Sequence, residues 1–475
     1  MSKAVNVPSS FRDPSGFLFT LRKQIATSRS EDGTHEDVLY RQINKSYQPD
    51  FDLLVGSGLY QRLVKEGLLV PFREVSSSLA QTSEAFKVIR PEPVPFVSYP
   101  YEWCFSELKD AALLTLKIQK IALEYGMNLK DASAYNIQFV KGKPVLIDHL
   151  SFEKHEEKPW VAYRQFCQHF LAPLALASYN DIRLIQLMRV YIDGIPLDLA
   201  AKLLPKKALI RPQLLAHLYL HAKSQQFFAG RPQSGGMERS LRFRKSQLLG
   251  LISGLEGAVR GLEWKPRGTE WADYYENTNY SRGAFRNKAE IVERFVRSVK
   301  PGVVWDLGAN TGEFSRVAMK SSKLIVSSDI DPAAVELNYR EVKAKGDKRI
   351  LPLVLDLTNP SGGIGWSNRE RMSLAERGPA DMVMALALIH HLAISNNLPF
   401  AKIAEFIAGI CRDSLIIEFV PKEDSQVQRL LATREDIFDH YTEDDFEKEF
   451  GKFFTVTAKE PVKGSKRAIY LMKVK

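Results

Sequence analysis

Residues 303–314 read Val-Val-Trp-Asp-Leu-Gly-Ala-Asn-Thr-Gly-Glu-Phe. This is the segment that most narrows what the chain can fold into. An apolar strand runs into Asp306, two glycines follow four residues apart, and helix-like sequence comes next. Gly308 and Gly312 permit backbone conformations and a close ligand approach that a Cβ would hinder. The helix that follows offers free N–H groups at its start. The spacing is not Gly-x-Gly-x-x-Gly, and no Gly-Lys-Ser/Thr follows, so no pyrophosphate cradle is indicated.

The next runs continue the theme. Lys323 to Asp329 is a second short apolar run that ends in an acid. An acid there, roughly 20 residues past a glycine loop, is placed to accept hydrogen bonds from a ribose diol. A third run, Ile350 to Leu355, ends at Asp356-Leu357. A fourth, Asp381 to Ile389, ends at His390-His391, and a fifth, Ser414 to Val420, carries Glu418. Open α/β sheets bind ligands at the carboxyl edge of their strands, where these groups fall.

Residues 270–475 resemble the class I S-adenosylmethionine-dependent methyltransferases. The matching motifs are Asp306-Leu-Gly-Ala-Asn-Thr-Gly312, Ser328-Asp-Ile-Asp-Pro332, Asp356-Leu357 and Asp381…Ala387-Leu-Ile-His-His-Leu392. The resemblance implies an α/β, Rossmann-like, seven-stranded methyltransferase sheet. Its last two strands, Phe453 to Ala458 and Arg467 to Val474, would form an antiparallel hairpin. It implies S-adenosyl-L-methionine as cofactor, held by Asp306, Gly308, Asn310, Gly312, Asp329, Ile330, Asp356 and Leu357. Tyr275 and Tyr280, just upstream, are expected to fold over it; a cation over an aromatic face gains roughly 0.5–2 kcal/mol. Arg286 and Lys288 are further candidates for its carboxylate. His390 and His391 follow the fourth strand, where acceptors sit in this family, and are the candidate catalytic bases. Glu418 has two readings, an acceptor amine or a loop N–H. No metal site is expected in this half. The chain as a whole also resembles bacterial methyltransferases described as nodulation-related.

The first half is expected to be a separate α+β domain. Leu129 to Asp148 reads as a helix end, a loop carrying Asp131 and Asn136, then a hairpin turned at Lys141-Gly142-Lys143 and closing on Asp148. The segment resembles the catalytic loop and metal-binding strand of protein kinases and small phosphotransferases, where such residues orient a hydroxyl and hold Mg²⁺. The departures are large. Leu129-Lys130 stands where His-Arg is usual, His149-Leu150 replaces Phe-Gly, and only Lys87 and Arg41 are loose candidates for a phosphate-pairing cation. Three readings stay open: a degenerate kinase-like fold kept for binding, an active phosphotransferase, or an unrelated helical domain whose polar residues satisfy loop backbone.

The expected division is therefore 1–232 for the first domain, 233–269 for a basic linker helix, and 270–475 for the methyltransferase domain. Residues 358–379 form a long insert with a charged helix Glu370 to Arg377, where substrate contacts are expected. The net charge of +10 is unevenly placed: residues 201–250 hold ten bases against one acid, and the tail from Lys452 holds seven against one. Such patches can hold phosphates or RNA, yet no aromatic–basic repeat of an RNA-binding motif appears. The expected partner is an unidentified methyl acceptor, anionic or small. No apolar run has the length of a membrane span, the first ten residues lack a signal-peptide core, and the three cysteines are sparse. A cytoplasmic location is the expectation. A catalytically idle regulatory protein and a bifunctional phosphotransferase–methyltransferase are the competing functional classes.

Overall fold

A computed structural model describes residues 4–24, 35–220, 242–266, 282–432 and 434–475. The chain divides into two compact units. Unit 1 comprises Met1–Tyr101, Glu107–Trp264 and Gly363–Arg371, and unit 2 comprises Glu102–Ser106, Lys265–Gly362 and Met372–Lys475. The helix Lys245–Gly261, expected in the linker, falls in unit 1. Among the described residues no helix is long and apolar enough to cross a membrane.

Unit 2 is built on a seven-stranded sheet. Its strands are β10 (Val303–Leu307), β11 (Leu324–Asp329), β12 (Ile350–Val354), β13 (Ala380–Ala385), β14 (Cys411–Phe419), β15 (Phe454–Pro461) and β16 (Ala468–Val474), numbered after the nine of unit 1. The order is β12-β11-β10-β13-β14-β16-β15. The first five are parallel, and β16 runs antiparallel between β14 and β15. Seven strands with a terminal antiparallel hairpin are what the resemblance implied. β10 to β13 are nearly continuous apolar runs because helices cover both faces of a parallel sheet. The helix Arg282–Val299 shows how: Ile291, Val292, Phe295 and Val296 are buried on Val304, Ile325, Met384 and Ile469, while Arg286, Glu290 and Arg294 face solvent. Each such buried aliphatic side chain contributes roughly 1.5–3 kcal/mol. Every parallel crossover returns to the same edge, so Asp306, Asp329, Asp356 and the segment after β13 emerge together.

Unit 1 is α+β. Its main sheet has the order β1-β2-β3-β5-β4, all antiparallel, from β1 (Val5–Asn6), β2 (Gly16–Gln24), β3 (His35–Asn44), β4 (Phe72–Val75) and β5 (Ala85–Pro91). Two helices, Gln48–Gly56 and Leu59–Lys65, come between β3 and β4. Ile43, Tyr47, Phe51, Ile89 and Leu150 form a core beneath the sheet. After the helix Phe105–Glu124 come β6 (Met127–Leu129), the hairpin β7 (Ile137–Val140) and β8 (Lys143–Leu146), and β9 (Phe152–Lys154), which pairs with β6. The hairpin turns on Lys141 and Gly142, both at positive φ (53° and 73°), the two-residue turn that suits strand twist.

The insert after β12 differs from its expected form. No helix spans Glu370 to Arg377; only Ala375–Arg377 makes a short 3₁₀ turn. Gly363–Arg371 clusters with unit 1. The exchange of short segments has a physical basis within unit 2. Glu102 is buried there with Arg377, whose guanidinium donates to it at 2.5 and 2.8 Å.

Candidate active site

The carboxyl edge of the unit 2 sheet opens into a cavity of about 390 Å³, within the usual range of small-molecule sites. Asp306, Gly308, Asn310, Asp329, Ile330, Asp356 and Leu357 line it, with His391 from the segment after β13. Gly312 does not. Its φ of 82° starts the helix Glu313–Met319, and a Cβ there would lie 2.5 Å from the Asn338 amide. Gly308, at φ 72°, leaves the space that Leu388 fills: a Cβ would meet Leu388 Cδ1 at 3.2 Å. Tyr275 and Tyr280 lie outside the described residues. Arg286 is exposed and not in the lining, whereas Lys288 is buried and lines the cavity.

Asp329 organises the glycine loop. Its carboxylate accepts the backbone N–H of Asn310 at 2.7 Å and of Asp331 at 2.9 Å. Asn310 adopts φ 51°, a left-handed conformation that Asn tolerates. Burial pushes the Asp329 carboxyl up to about 6, against the lowering effect of these backbone donors. Asp306 is deeper; burial raises it to about 7, although the Ser315 hydroxyl lies 2.6 Å from its Oδ2. Among the described residues neither acid is ion-paired at close range; the Lys288 charge lowers Asp306, but burial is the larger effect on both. Asp356 uses one oxygen, Oδ1, to accept from the Thr358 N–H at 2.8 Å and its hydroxyl at 2.6 Å.

The two histidines part company. His391 opens a short π-helical turn, His391–Ser395, and lines the cavity with Leu392, Ser395 and Asn396. Burial, then the Arg467 charge, lowers its pKa to about 4, so its ring is neutral at neutral pH. His390 is fully buried outside the lining, and neither ring nitrogen has a hydrogen-bond partner among the described residues. Burial holds it well below the usual imidazole range. Glu418 also lies behind the cavity wall, 0 % exposed. Of its two readings, the loop N–H is the contact present: Ala387 N–H donates to Glu418 Oε2 at 2.7 Å.

Sequence reasoning did not single out Phe285, Phe314, Leu386, Ser395, Asn396 or Leu430, which also line the cavity. Apolar residues such as Phe285, Phe314 and Leu430 carry no signal that separates a pocket wall from core, and Ser395 and Asn396 lie past Leu392, the last residue of the matching motif. Of the 358–379 insert, only Thr358 lines the cavity.

In unit 1, Asp131, Asn136 and Asp148 do come together. Asp131 faces the Asp148 charge and hydrogen-bonds with Asn136. Asp148, however, is paired with Arg41, and also accepts from Ser151 Oγ at 2.5 Å and Leu150 N–H at 3.2 Å. Burial would raise this carboxyl; the Arg41 charge and these donors hold it below its ordinary value. Lys87 instead pairs with Glu74 at a partly exposed position. Among the described residues no three His, Cys, Asp or Glu side chains gather to hold a metal ion. Part of the basic segment 202–245 lies outside the described residues; of the rest, Arg211 donates to Gly261 O at 2.5 Å.

No family model matches the chain. Among solved structures, the chain is similar in fold to the N-methyltransferase NodS from Bradyrhizobium japonicum WM9 in complex with S-adenosyl-L-homocysteine. The identity is 10%, with 44% of this chain and 93% of that one covered and a TM-score of 0.33. It is also similar to magnesium protoporphyrin IX methyltransferase (ChlM) from Synechocystis PCC 6803 with bound SAH: 18% identity, 43% and 93% covered, TM-score 0.30. A curated relative, nodulation protein NoeA of Rhizobium meliloti (strain 1021), is 35% identical over 476 residues, 98% of this chain and 95% of that protein. With that identity sustained over almost the whole of both chains, the protein belongs to the family of nodulation protein NoeA.

Proposed function

We propose that unit 2 binds S-adenosyl-L-methionine in this cavity and transfers its methyl group to an oxygen or nitrogen acceptor, which unit 1 selects or presents. One observation carries the reading. Three successive parallel strands deliver Asp306, Asp329 and Asp356 to one cavity, beside a glycine loop whose Gly308 and Gly312 both take a positive φ.

The residues present fit that cofactor. Asp329 retains acceptor capacity for a ribose diol, since an ionised carboxylate offers about four acceptor sites. Asp356 Oδ2 is left to accept from a purine amino group. Lys288 is the one lysine or arginine among the described lining residues and suits the amino-acid carboxylate. The cofactor, once bound, would supply an activated methyl group for in-line transfer to the acceptor's lone pair, with the thioether sulfur as leaving group. The protein's work is then to position and to exclude water. Phe285, Phe314, Leu355, Leu386 and Leu392 supply apolar walls for this. His391, unprotonated at neutral pH, takes the acceptor's proton. A weak base suffices there, because that proton becomes strongly acidic as the new bond forms.

For unit 1 the engagement of Asp148 by Arg41 supports binding rather than phosphoryl transfer. The identity with a nodulation protein supports a part in nodulation. The test is calorimetric titration of the full chain with S-adenosylmethionine and S-adenosylhomocysteine. Micromolar binding is expected, weakened tenfold or more in Asp329→Ala, because hydrogen bonds to a charged group are worth about 1.5–3 kcal/mol. A wild-type chain that binds neither overturns the reading.

A further inference from the structure

Behind the cavity wall lies a chain of four charges, of which Lys288, Glu418 and Arg467 are buried and Asp424 is partly exposed. Lys288 Nζ donates to Glu418 Oε2 at 2.6 Å, with the two side chains 3 % and 0 % exposed. Arg467 Nη1 lies 3.8 Å from Glu418 Oε1 and its guanidinium is bound to both oxygens of Asp424, at 2.7 and 2.9 Å. Asp424 caps the helix Ser425–Leu431, which brings Leu430 to the cavity. Glu418 is the centre of this chain. The oxygen that receives Lys288 also receives the Ala387 N–H, and Ala387 stands at φ 51°, a conformation an alanine adopts only when held. Ala387 and Lys288 both line the cavity. Lys288 also sits 4.7 Å over the Phe314 ring, another lining residue.

A buried ion pair contributes little net stability compared with apolar residues of the same shape. A carboxylate inside the otherwise apolar run Leu415–Val420 therefore calls for another reason to be there. We propose that Glu418 is a positioning residue for the bound cofactor: it fixes the Lys288 ammonium at the cavity wall for the ligand's carboxylate, and clamps the Ala387 turn against the rest of the ligand. The inference rests on the cofactor reading above and adds to it a residue that touches no ligand. Two functions meet on one carboxylate, and they separate chemically. A glutamine at 418 keeps an oxygen for the Ala387 N–H and loses the charge that holds Lys288. An alanine loses both.

The experiment titrates two probes by calorimetry: S-adenosylhomocysteine, and 5′-methylthioadenosine, which keeps the adenosine and thioether but has no amino-acid carboxylate. Glu418→Gln and Lys288→Met are each expected to weaken S-adenosylhomocysteine about tenfold or more, the range for a charge-assisted contact. Both should leave methylthioadenosine within about threefold, the scatter expected where a contact is not shared. The double variant should be no weaker than the worse single variant, because the two residues act as one unit. Glu418→Ala should weaken both probes. Melting curves accompany each titration; if Glu418→Gln does not fold, the double variant, which leaves no lone buried charge, is compared with Lys288→Met. Equal weakening of both probes by Glu418→Gln, or additive single effects, overturns the proposal. A wild type that binds S-adenosylhomocysteine while Glu418→Gln binds it unchanged overturns the proposal alone. A wild type that binds neither probe overturns the cofactor reading and the proposal with it.

Discussion

Asp148 of unit 1 and Asp329 of unit 2 are both buried aspartates at a loop that follows a strand, and both accept backbone N–H groups. They differ in one neighbour. Asp148 has the Arg41 guanidinium against it, and its pKa lies below the ordinary value despite burial. Asp329 has backbone donors and, among the described residues, no ion-pair partner, and burial drives it up to about 6. The first carboxylate is complete within the protein. The second is ionised at neutral pH but holds its proton up to about pH 6, so a ligand that donates to it favours the anion further. A carboxylate's place in a motif does not decide between these fates; the presence of an internal cation does.

The strongest way to break the comparison is to remove that cation. Arg41→Ala leaves Asp148 as an uncompensated buried charge, which costs about 3–5 kcal/mol when one partner of a buried pair is deleted. The fall should appear in the denaturant midpoint of unit 1, while S-adenosylhomocysteine affinity stays at the wild-type value. The pH sign is fixed by the lowered pKa. The pair's contribution is full above the unfolded value of about 3.9 and is lost as pH falls through the folded value. Arg41→Ala should therefore lose this part of the acid sensitivity. A variant as stable as wild type would mean that Asp148 was never held by Arg41, and the contrast with Asp329 would end.

The same contrast recurs within a single turn of chain, between His390 and His391. One is sealed behind the wall and the other faces the cavity. If His391 takes the acceptor's proton, His391→Asn should lower turnover by about a hundredfold, the lower end for general-base catalysis, because its pKa of about 4 makes it a weak base. Cofactor affinity should be unchanged. Single-turnover rates with saturating cofactor check this. A variant that turns over at the wild-type rate removes His391 from the chemistry.

How much of this the sequence disclosed follows from what each motif encodes. The glycine loop and the acids at Asp306, Asp329 and Asp356 were legible because parallel strands are short apolar runs, and the ligand edge is fixed by their direction. The seven strands and the terminal hairpin followed from the resemblance those motifs carry, whereas the order of the strands has no local signal. In unit 1, Asp131, Asn136 and Asp148 were legible as a group, but their state was not. Arg41 pairs with a residue 107 positions away, and nothing in local spacing reports such a partner. His390 and His391 are identical in type and adjacent, and only the turn that His391 opens decides which one reaches the cavity. The helix expected from Glu370 to Arg377 was drawn from charged composition alone. The chain there is bound instead by long-range partners such as Glu102 for Arg377, which local propensity does not register.

The subtlest test of the comparison is the pH dependence of binding. Asp329 and Asp306, raised to about 6 and about 7, are largely protonated at pH 5 in the free protein. The folded state then binds more protons than the unfolded one, so these groups favour the fold most below about pH 4, and that contribution is lost as pH rises through the folded values. A ligand that donates hydrogen bonds to Asp329, or brings positive charge near Asp306, requires the ionised forms and must expel the protons. S-adenosylmethionine affinity should thus rise from pH 5 to pH 7 by about tenfold through Asp329 alone and by more if Asp306 also ionises, with proton release at pH 6 measurable as a dependence of the binding enthalpy on buffer ionisation. Asp329→Asn should bind more weakly at pH 7 and lose the part of the slope centred near pH 6. Retention of the full slope would assign the titration to Asp306 alone, and Asp329 would then be, like Asp148, a carboxylate already satisfied by its own protein.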